Sequence, residues 1–419
     1  MTVRRRRWPG LLVALLLAAC GSEQPDVVEF WALGREGEAV RGLMPEFERR
    51  HPGVQVKVQQ IPWSAAHEKL LTAYAGDAMP DVFQLGTTWV AEFAALGAAE
   101  DLATWANRTG MPLGDFFPGI LDASRVSGRL YAIPWYVDTR VLFYRKDLLA
   151  RAGVTQPPQT WEAWLAAMQR LREQGRFAIL LPVNEWQVPV ILAQQLGAGM
   201  LREEGRFGDF RAAPFRQAFA FYVDLFRQGL APAVSDTQVS NLYQEFAEGY
   251  FGLYLTGPWN LGEFRRRLPD RLQDQWDTAP LPAPDVSYPG VSLAGGASLA
   301  MSPRSRQREH AWQLIQFLAE TRVQAGFYRS TGDLPARVSA WDDPDLGQDS
   351  KARAFRVQLE HVAAVPKVPE WERIASKLAH YAESTVRGEM TEDAALTALD
   401  QDVDAILEKR RWLMDHGRW

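Results

Sequence analysis

Residues 128–147 read GRLYAIPWYVDTRVLFYRKD. Ser127-Gly128 opens the stretch with a turn signal, and Leu130-Tyr131-Ala132-Ile133 reads as a short strand. Pro134 punctuates it, because proline has no N–H to give to a strand ladder. Val141-Leu142-Phe143-Tyr144 is a second β-rich run, closed by Arg145-Lys146-Asp147. Between the two runs stand Trp135, Tyr136 and Asp138, two aromatic faces and one carboxylate. A strand that pauses to present such groups and then resumes is a candidate crossing between two lobes, with a binding site at the crossing.

The flanking chain supplies the lobes. Val27–Trp31 reads as a first strand, Gly34–Glu38 as the loop after it, and Val40, Leu43, Met44 and Phe47 fall at helical spacing. His51-Pro52-Gly53 stops that helix, and Val54, Val56 and Val58 alternate with polar residues as a second strand. Ala65–Ala75 is a further helix, and Pro80–Leu85 leads a third strand into Gly86-Thr87-Thr88-Trp89. Strands alternating with helices predict βαβ units and a mainly parallel sheet, with ligands beyond the carboxyl ends of the strands. Thr160 caps a helix with Trp161, Trp164, Met168 and Leu171 inward; Tyr250–Leu255 is a buried strand ending in Thr256-Gly257-Pro258-Trp259-Asn260. The chain has no repeat and no low-complexity run.

At 419 residues the chain predicts two domains of ordinary size, and 47% hydrophobic with 23% charged residues is a globular composition. Arg4-Arg5-Arg6-Arg7 is a basic start, and Leu11–Ala19 is an apolar run well short of the ~20 residues of a spanning helix. That pattern reads as a secretory signal. Leu17-Ala18-Ala19-Cys20 resembles the lipobox of bacterial lipoproteins, which implies lipidation of Cys20, the sole cysteine. The alternative is an ordinary signal with an incidental cysteine. With no second thiol there is no internal disulfide. Residues 1–19 hold four arginines and no acid, so without them the formal net charge moves from −5 to −9. So acidic a surface argues against nucleic acid as a partner.

Several segments, in order, resemble the extracellular solute-binding proteins that deliver sugars to ABC importers, the relatives of maltose-binding protein. They include Phe30-Trp31, Phe47–Val54, Pro80-Asp81-Val82, Gly128–Pro134, Tyr144–Asp147, Gly257-Pro258-Trp259, Pro280-Leu281-Pro282, Gly295-Gly296, Thr331-Gly332 with Pro335, and Gly388–Thr391. The resemblance implies an α/β, two-lobed periplasmic-binding-protein fold with discontinuous lobes, three interlobe crossings and a ligand site in the cleft. The crossings fall by match near 136–140, 290–294 and 332–336. The implied division is a lipoprotein signal over 1–19, a tether over 20–26, a first lobe of 27–136 with 294–333, and a second of 137–293 with 334–419. It also implies a monomer in the periplasm or at the cell surface, held to the membrane through Cys20, with a sugar and ABC permease subunits as partners and no cofactor.

A sugar offers hydroxyls at its edges and weakly polar C–H faces, so its pocket needs aromatic planes with planar polar groups around them. Trp89, Trp135, Trp186 and Trp259 fall just past strand ends, where each faces either ligand or its own lobe. The resemblance adds Trp371. Asp138 leads the polar candidates, its alternative being a salt bridge with Arg140. Glu36, preferred over Glu38, Thr87, Thr88 and Arg337 complete the set, and Gly295 and Gly296 would let backbone approach the ligand. Thr87 and Thr88 stand where many relatives of the family carry Asp or Asn. The expected ligand is a disaccharide such as maltose or trehalose. A glycerol-phosphate-type ligand in the same fold is the alternative, and would want a basic cluster. A carbohydrate-active enzyme is a third reading. Histidines 51, 67, 310, 361, 380 and 416 lack metal-ligand spacing, and no nucleophile motif is present.

Overall fold

A computed structural model describes residues 25–174, 177–239 and 241–417, so the expected signal and Cys20 lie outside the described residues. Two main sheets are built from β1 (Asp26–Leu33), β2 (Val54–Ile61), β3 (Val82–Gly86), β4 (Ile133–Asp138), β5 (Val141–Arg145), β6 (Ile179–Leu180), β7 (Leu253–Thr256), β8 (Trp276–Ala279), β9 (Gly295–Met301) and β10 (Leu334–Pro335). The first sheet runs β10-β4-β9-β3-β1-β2 and the second β8-β5-β7-β6. Each is the floor of one lobe. Asp26, assigned above to the tether, already pairs with Val54 in β1.

The expectation of a mainly parallel sheet holds only for part of each. β2, β1 and β3 are parallel neighbours, as βαβ units require. β9 runs antiparallel to both β3 and β4, and β10 is antiparallel to β4. The reason is connectivity. β4 carries the chain out of the first sheet and β9 brings it back, so the two strands need no right-handed helical crossover between them. In the second sheet β5 is antiparallel to both β7 and β8, while β7 and β6 are parallel.

The opening stretch differs from its reading in an instructive way. Arg129-Leu130 pairs back on Arg125-Val126 around Ser127 and Gly128, both at positive φ (49° and 79°). The turn signal is therefore a tight hairpin of its own. Pro134 does not end a strand but lies within β4. Ser298 of β9 pairs with Pro134 and Ala297 pairs with Tyr136, which leaves Trp135 as the extra residue of a bulge. A bulge is one of the places where a sheet tolerates proline. The Pro134 carbonyl accepts instead from Gln324 Nε2 at 3.2 Å.

Thr139 and Arg140 are the whole of the first crossing, between the last residue of β4 and the first of β5. The return crossing runs from β8 to β9, and in it Ser292-Leu293 pairs with Val362-Ala363. The third crossing comes later than the resemblance implied. Leu334 and Pro335 still pair with Val137 and Tyr136 in the first sheet, and Trp341 packs edge-on against Phe117. The chain meets the second lobe from Asp349 on, where Asp349 pairs with Arg265 and the Lys351 carbonyl accepts from Thr278 Oγ1, and the helix Arg353–Gln358 follows with Phe355 against Phe143. A boundary at 334 thus cuts a strand of the first lobe.

Each lobe has an aromatic centre. Trp135 stacks on Phe327 (4.8 Å, 29°) in the first, and Phe143 stacks on Trp276 (5.8 Å, 6°) in the second. Among the described residues no helix is long and apolar enough to cross a membrane.

Candidate functional site

Between the lobes lies a cleft of about 570 Å³. Part of its wall comes from the carboxyl ends of β1, β3 and β4, where α/β sheets leave backbone groups and loops free for ligand. After β1, Gly34 adopts positive φ (54°) and turns the chain into a short helix whose first residue is Glu36. A Cβ at Gly34 would stand 2.5 Å from the Trp63 ring and 2.8 Å from a Glu36 carboxylate oxygen, so this contact depends on glycine. After β3, one 3-10 turn over Thr87–Trp89 brings that tripeptide to the rim. β4 contributes Tyr136 and Asp138, and β9 contributes Gly295 and Gly296. The second lobe supplies Arg140, Trp186, Gln187, Trp259 and Glu372.

Two indoles present open surface to the cleft: Trp259 is 41% exposed and Trp63 is 38% exposed. The Arg140 guanidinium lies over the Trp259 ring at 4.6 Å. Gly257 makes room for that indole, since a Cβ there would meet its ring at 1.9 Å. On the opposite lobe Trp63 meets Trp89 edge-on (5.7 Å), and Trp89 packs against His67. Aromatic planes thus face the cleft from both sides.

Carboxyl groups fill the space between them. Glu36, Asp138, Asp333 and Glu372 line the cleft, and Arg140 is the basic residue among the described lining residues. Arg140 donates to both Asp138 oxygens, at 2.7 and 2.9 Å. The salt bridge that was the alternative reading of Asp138 is therefore present, and Asp138 lines the cleft as well. Burial pushes Glu36 up from the usual carboxylate range, partly offset by a hydrogen bond from Trp63 Nε1 (3.3 Å). Burial, then the neighbouring Glu36 charge, raises Asp333 to about 7. Glu185, set behind the lining beside Arg140, is also raised by burial.

The two lobes touch across one end of the cleft. Thr88 Oγ1 donates to Glu372 Oε1 at 2.5 Å, and burial raises the Glu372 carboxyl. His67 Nε2 and Glu92 Oε2 stand 2.6 Å apart nearby, a contact that raises the imidazole's affinity for a proton. Thr87 Oγ1 donates to the Gly296 carbonyl at 2.9 Å, tying the loop after β3 to the start of β9.

Nine of the expected site residues line the cleft: Glu36, Thr87, Thr88, Trp89, Asp138, Trp186, Trp259, Gly295 and Gly296. Three do not. Trp135 is 1% exposed and lies in the first lobe's core between Phe30 and Phe327, because the bulge turns it away from the cleft. Arg337 is buried in the first lobe and outside the cleft lining, donating to the Ala319 carbonyl and pairing with Asp115 (3.3 Å) over the Phe116 ring. Trp371 is buried behind Trp186, which it meets edge-on at 5.5 Å. Its neighbour Glu372, one step round the helix Trp371–Val386, faces the cleft instead. The residues that sequence reading missed are Trp63, Gln187, Asp333 and Glu372. Trp63 is the first residue of the helix Trp63–Ala75, directly after Pro62, and the helix start read at Ala65 left it out.

A family model described as bacterial extracellular solute-binding protein matches residues 31–325. The chain is 47% identical to the sugar-binding protein MalE from the phytopathogen Xanthomonas citri, with a TM-score of 0.89 over 93% of this chain and 99% of that one. It is 23% identical over 410 residues to the diacetylchitobiose binding protein DasA of Streptomyces coelicolor, covering 92% of this chain and 94% of the relative. It is likewise 23% identical over 380 residues to the galactooligosaccharide-binding protein of Bacillus subtilis, covering 86% and 87%.

Proposed function

Because the chain belongs to the bacterial extracellular solute-binding protein family, we propose that its cleft captures a neutral sugar of about disaccharide size, such as maltose or trehalose. The lobes close on the sugar and present it to the permease of an ABC importer. The observation that carries this reading is the pairing of open indole faces, Trp259 and Trp63, with a ring of carboxyl groups in one cleft. Indoles stack on C–H faces, and carboxylates accept from hydroxyls. A volume of about 570 Å³ sits within the roughly 300–1,000 Å³ of small-ligand pockets. The relatives named above bind, by their names, a sugar, diacetylchitobiose and galactooligosaccharides, which supports the class and leaves the choice of sugar to the cleft.

The glycerol-phosphate alternative is the weaker one on charge. Its candidate cation, Arg337, is buried outside the cleft, and Arg140 is already neutralised by Asp138. An anion would enter beside four lining carboxyls, and the one cation among the described lining residues, Arg140, is already paired. The accompanying proposal is a monomer in the periplasm or at the cell surface, lipidated at Cys20, where one lipid cluster anchors without spanning.

Calorimetric titration of the protein lacking residues 1–19 with glucose, maltose, trehalose, maltotriose and glycerol 3-phosphate tests the reading. Saturable binding of a disaccharide, with no response to glycerol 3-phosphate, is the expected result. Binding of the phosphate and of none of the sugars would reverse the assignment, and turnover of a bound disaccharide would move the protein to the enzyme reading.

A further inference from the structure

Thr88 and Glu372 stand 284 positions apart and belong to different lobes, yet Thr88 Oγ1 donates to Glu372 Oε1 at 2.5 Å. Both line the cleft. Glu36, Asp138 and Asp333 bring carboxyls to the cleft from the first lobe, and Glu372 is the one that the second lobe brings among the described lining residues. Each end of the bond is firmly mounted. Thr88 is the middle residue of the 3-10 turn after β3, and the Thr87 hydroxyl ties that turn to the Gly296 carbonyl at 2.9 Å. Glu372 is the second residue of the helix Trp371–Val386, where the helix dipole favours a carboxylate, and Trp371 beside it is buried against Trp186. Behind the bond, Thr87, Thr88 and Val365 line a gap of about 10 Å³, at the lower limit for one water molecule. A hydrogen bond to a charged acceptor, shielded from water on that side, is one of the stronger kinds.

We propose that Thr88 is a positioning residue for sugar capture: its hydroxyl clasps Glu372 when the lobes close, which stabilises the closed cleft and holds the second lobe's carboxylate in place at the cleft wall. The inference rests on the sugar-cleft reading and deepens it. A bond made only between lobes adds nothing to either lobe alone, so its free energy goes into the balance of open and closed states. A ligand that touches both lobes then binds more tightly, because less of its own binding energy is spent on closing them. The gain falls mainly on the dissociation rate, since the clasp breaks before the sugar leaves. The clasp also fixes the Glu372 side chain in one rotamer, which removes part of the ordering cost a sugar hydroxyl would otherwise meet there.

Thr88→Val removes the hydroxyl and keeps the shape, whereas Thr88→Ser keeps the hydroxyl. Titrated with whichever of maltose and trehalose wild type binds better, Thr88→Val is expected to bind about tenfold or more weaker, through faster dissociation, and Thr88→Ser to stay within about threefold of wild type. A hydroxyl that met only the sugar would leave the free protein unchanged, so small-angle X-ray scattering without sugar separates the two roles. The radius of gyration of free Thr88→Val is expected to exceed that of wild type and of Thr88→Ser, as the unclasped lobes part. Equal radii for all three overturn the clasp. So does a double variant, Thr88→Val with Glu372→Gln, whose affinity loss is the sum of the single losses, because independent contacts add and partners in one bond do not. Scattering uses no sugar. Absence of binding by both sugars therefore removes the sugar reading, and the capture role with it, while the radii still decide whether the clasp exists. If Thr88→Val fails to fold, Glu372→Gln, whose neutral amide is a weaker acceptor, makes both comparisons.

Discussion

Replacing Trp259 with alanine is expected to weaken sugar binding by roughly 70-fold while leaving the fold intact. A stacked sugar covers about 100 Å² of indole face, and at about 25 cal/mol per Å² the loss is about 2.5 kcal/mol. The ring is 41% exposed, so little of the second lobe's core leans on it. One of its neighbours is the Arg140 guanidinium at 4.6 Å, and Gly257 is shaped around it. Both observations describe a side chain held in place for something other than packing. Trp259→Phe should retain part of the affinity, because a smaller plane still stacks. Titration of both variants with the best sugar of the panel, beside a thermal melt, gives the comparison. An unchanged affinity in Trp259→Ala would place the stacking plane elsewhere, with Trp63 as the next to test.

Two of the cleft segments that were legible in the sequence come just after strands buried along their whole length. Trp259 follows Leu253–Thr256, and Thr87–Trp89 follows Val82–Gly86, strands whose every residue is buried. In an α/β sheet that position alone points to the ligand rim. Trp135 failed this logic because Pro134 was read as the end of a strand. It is part of a bulge, and the extra residue reversed which side of β4 the indole faces. Trp371 and Glu372 were exchanged for a related reason. A helix turns about 100° per residue, so adjacent positions face different surroundings, and the position of the face was set by tertiary packing against Trp186. Asp333 was illegible for a different cause. In Thr331-Gly332-Asp333-Leu334-Pro335 it looks like a turn residue, and its burial beside Glu36 comes from a strand pairing, β10 on β4, that a two-residue strand does not announce. The third crossing was misplaced by the same short strand.

The residue the opening stretch singled out, Asp138, is expected to matter most to the fold itself. Asp138→Ala should lower the unfolding free energy by about 3–5 kcal/mol, the usual result of removing one partner from a buried ion pair. Only 10% of the Arg140 side chain is exposed, against 27% for Asp138. The backbone at Arg140 is clamped: its N–H donates to Ser292 Oγ at 3.1 Å, and Ser292 Oγ donates back to its carbonyl at 2.9 Å. That clamp joins the first crossing to the return crossing, so the pair sits where two of the three interlobe connections touch. Without Asp138 the guanidinium keeps Glu185 as its charged neighbour, and burial already presses that carboxyl toward its neutral form. The double variant Asp138→Leu with Arg140→Met removes both charges, and it should recover most of the lost stability, since well-packed apolar pairs often replace buried ion pairs at little cost. It should still bind sugar poorly, because an acceptor and the cation over Trp259 are gone together. Urea unfolding of Asp138→Leu, Arg140→Met and the double variant yields the coupling energy directly. A single-variant loss below about 1 kcal/mol would show that the crossing does not depend on the pair. Recovery of stability together with sugar affinity would show that Asp138 serves the hinge alone, and that the carboxyls meeting the ligand are those of Glu36, Asp333 and Glu372.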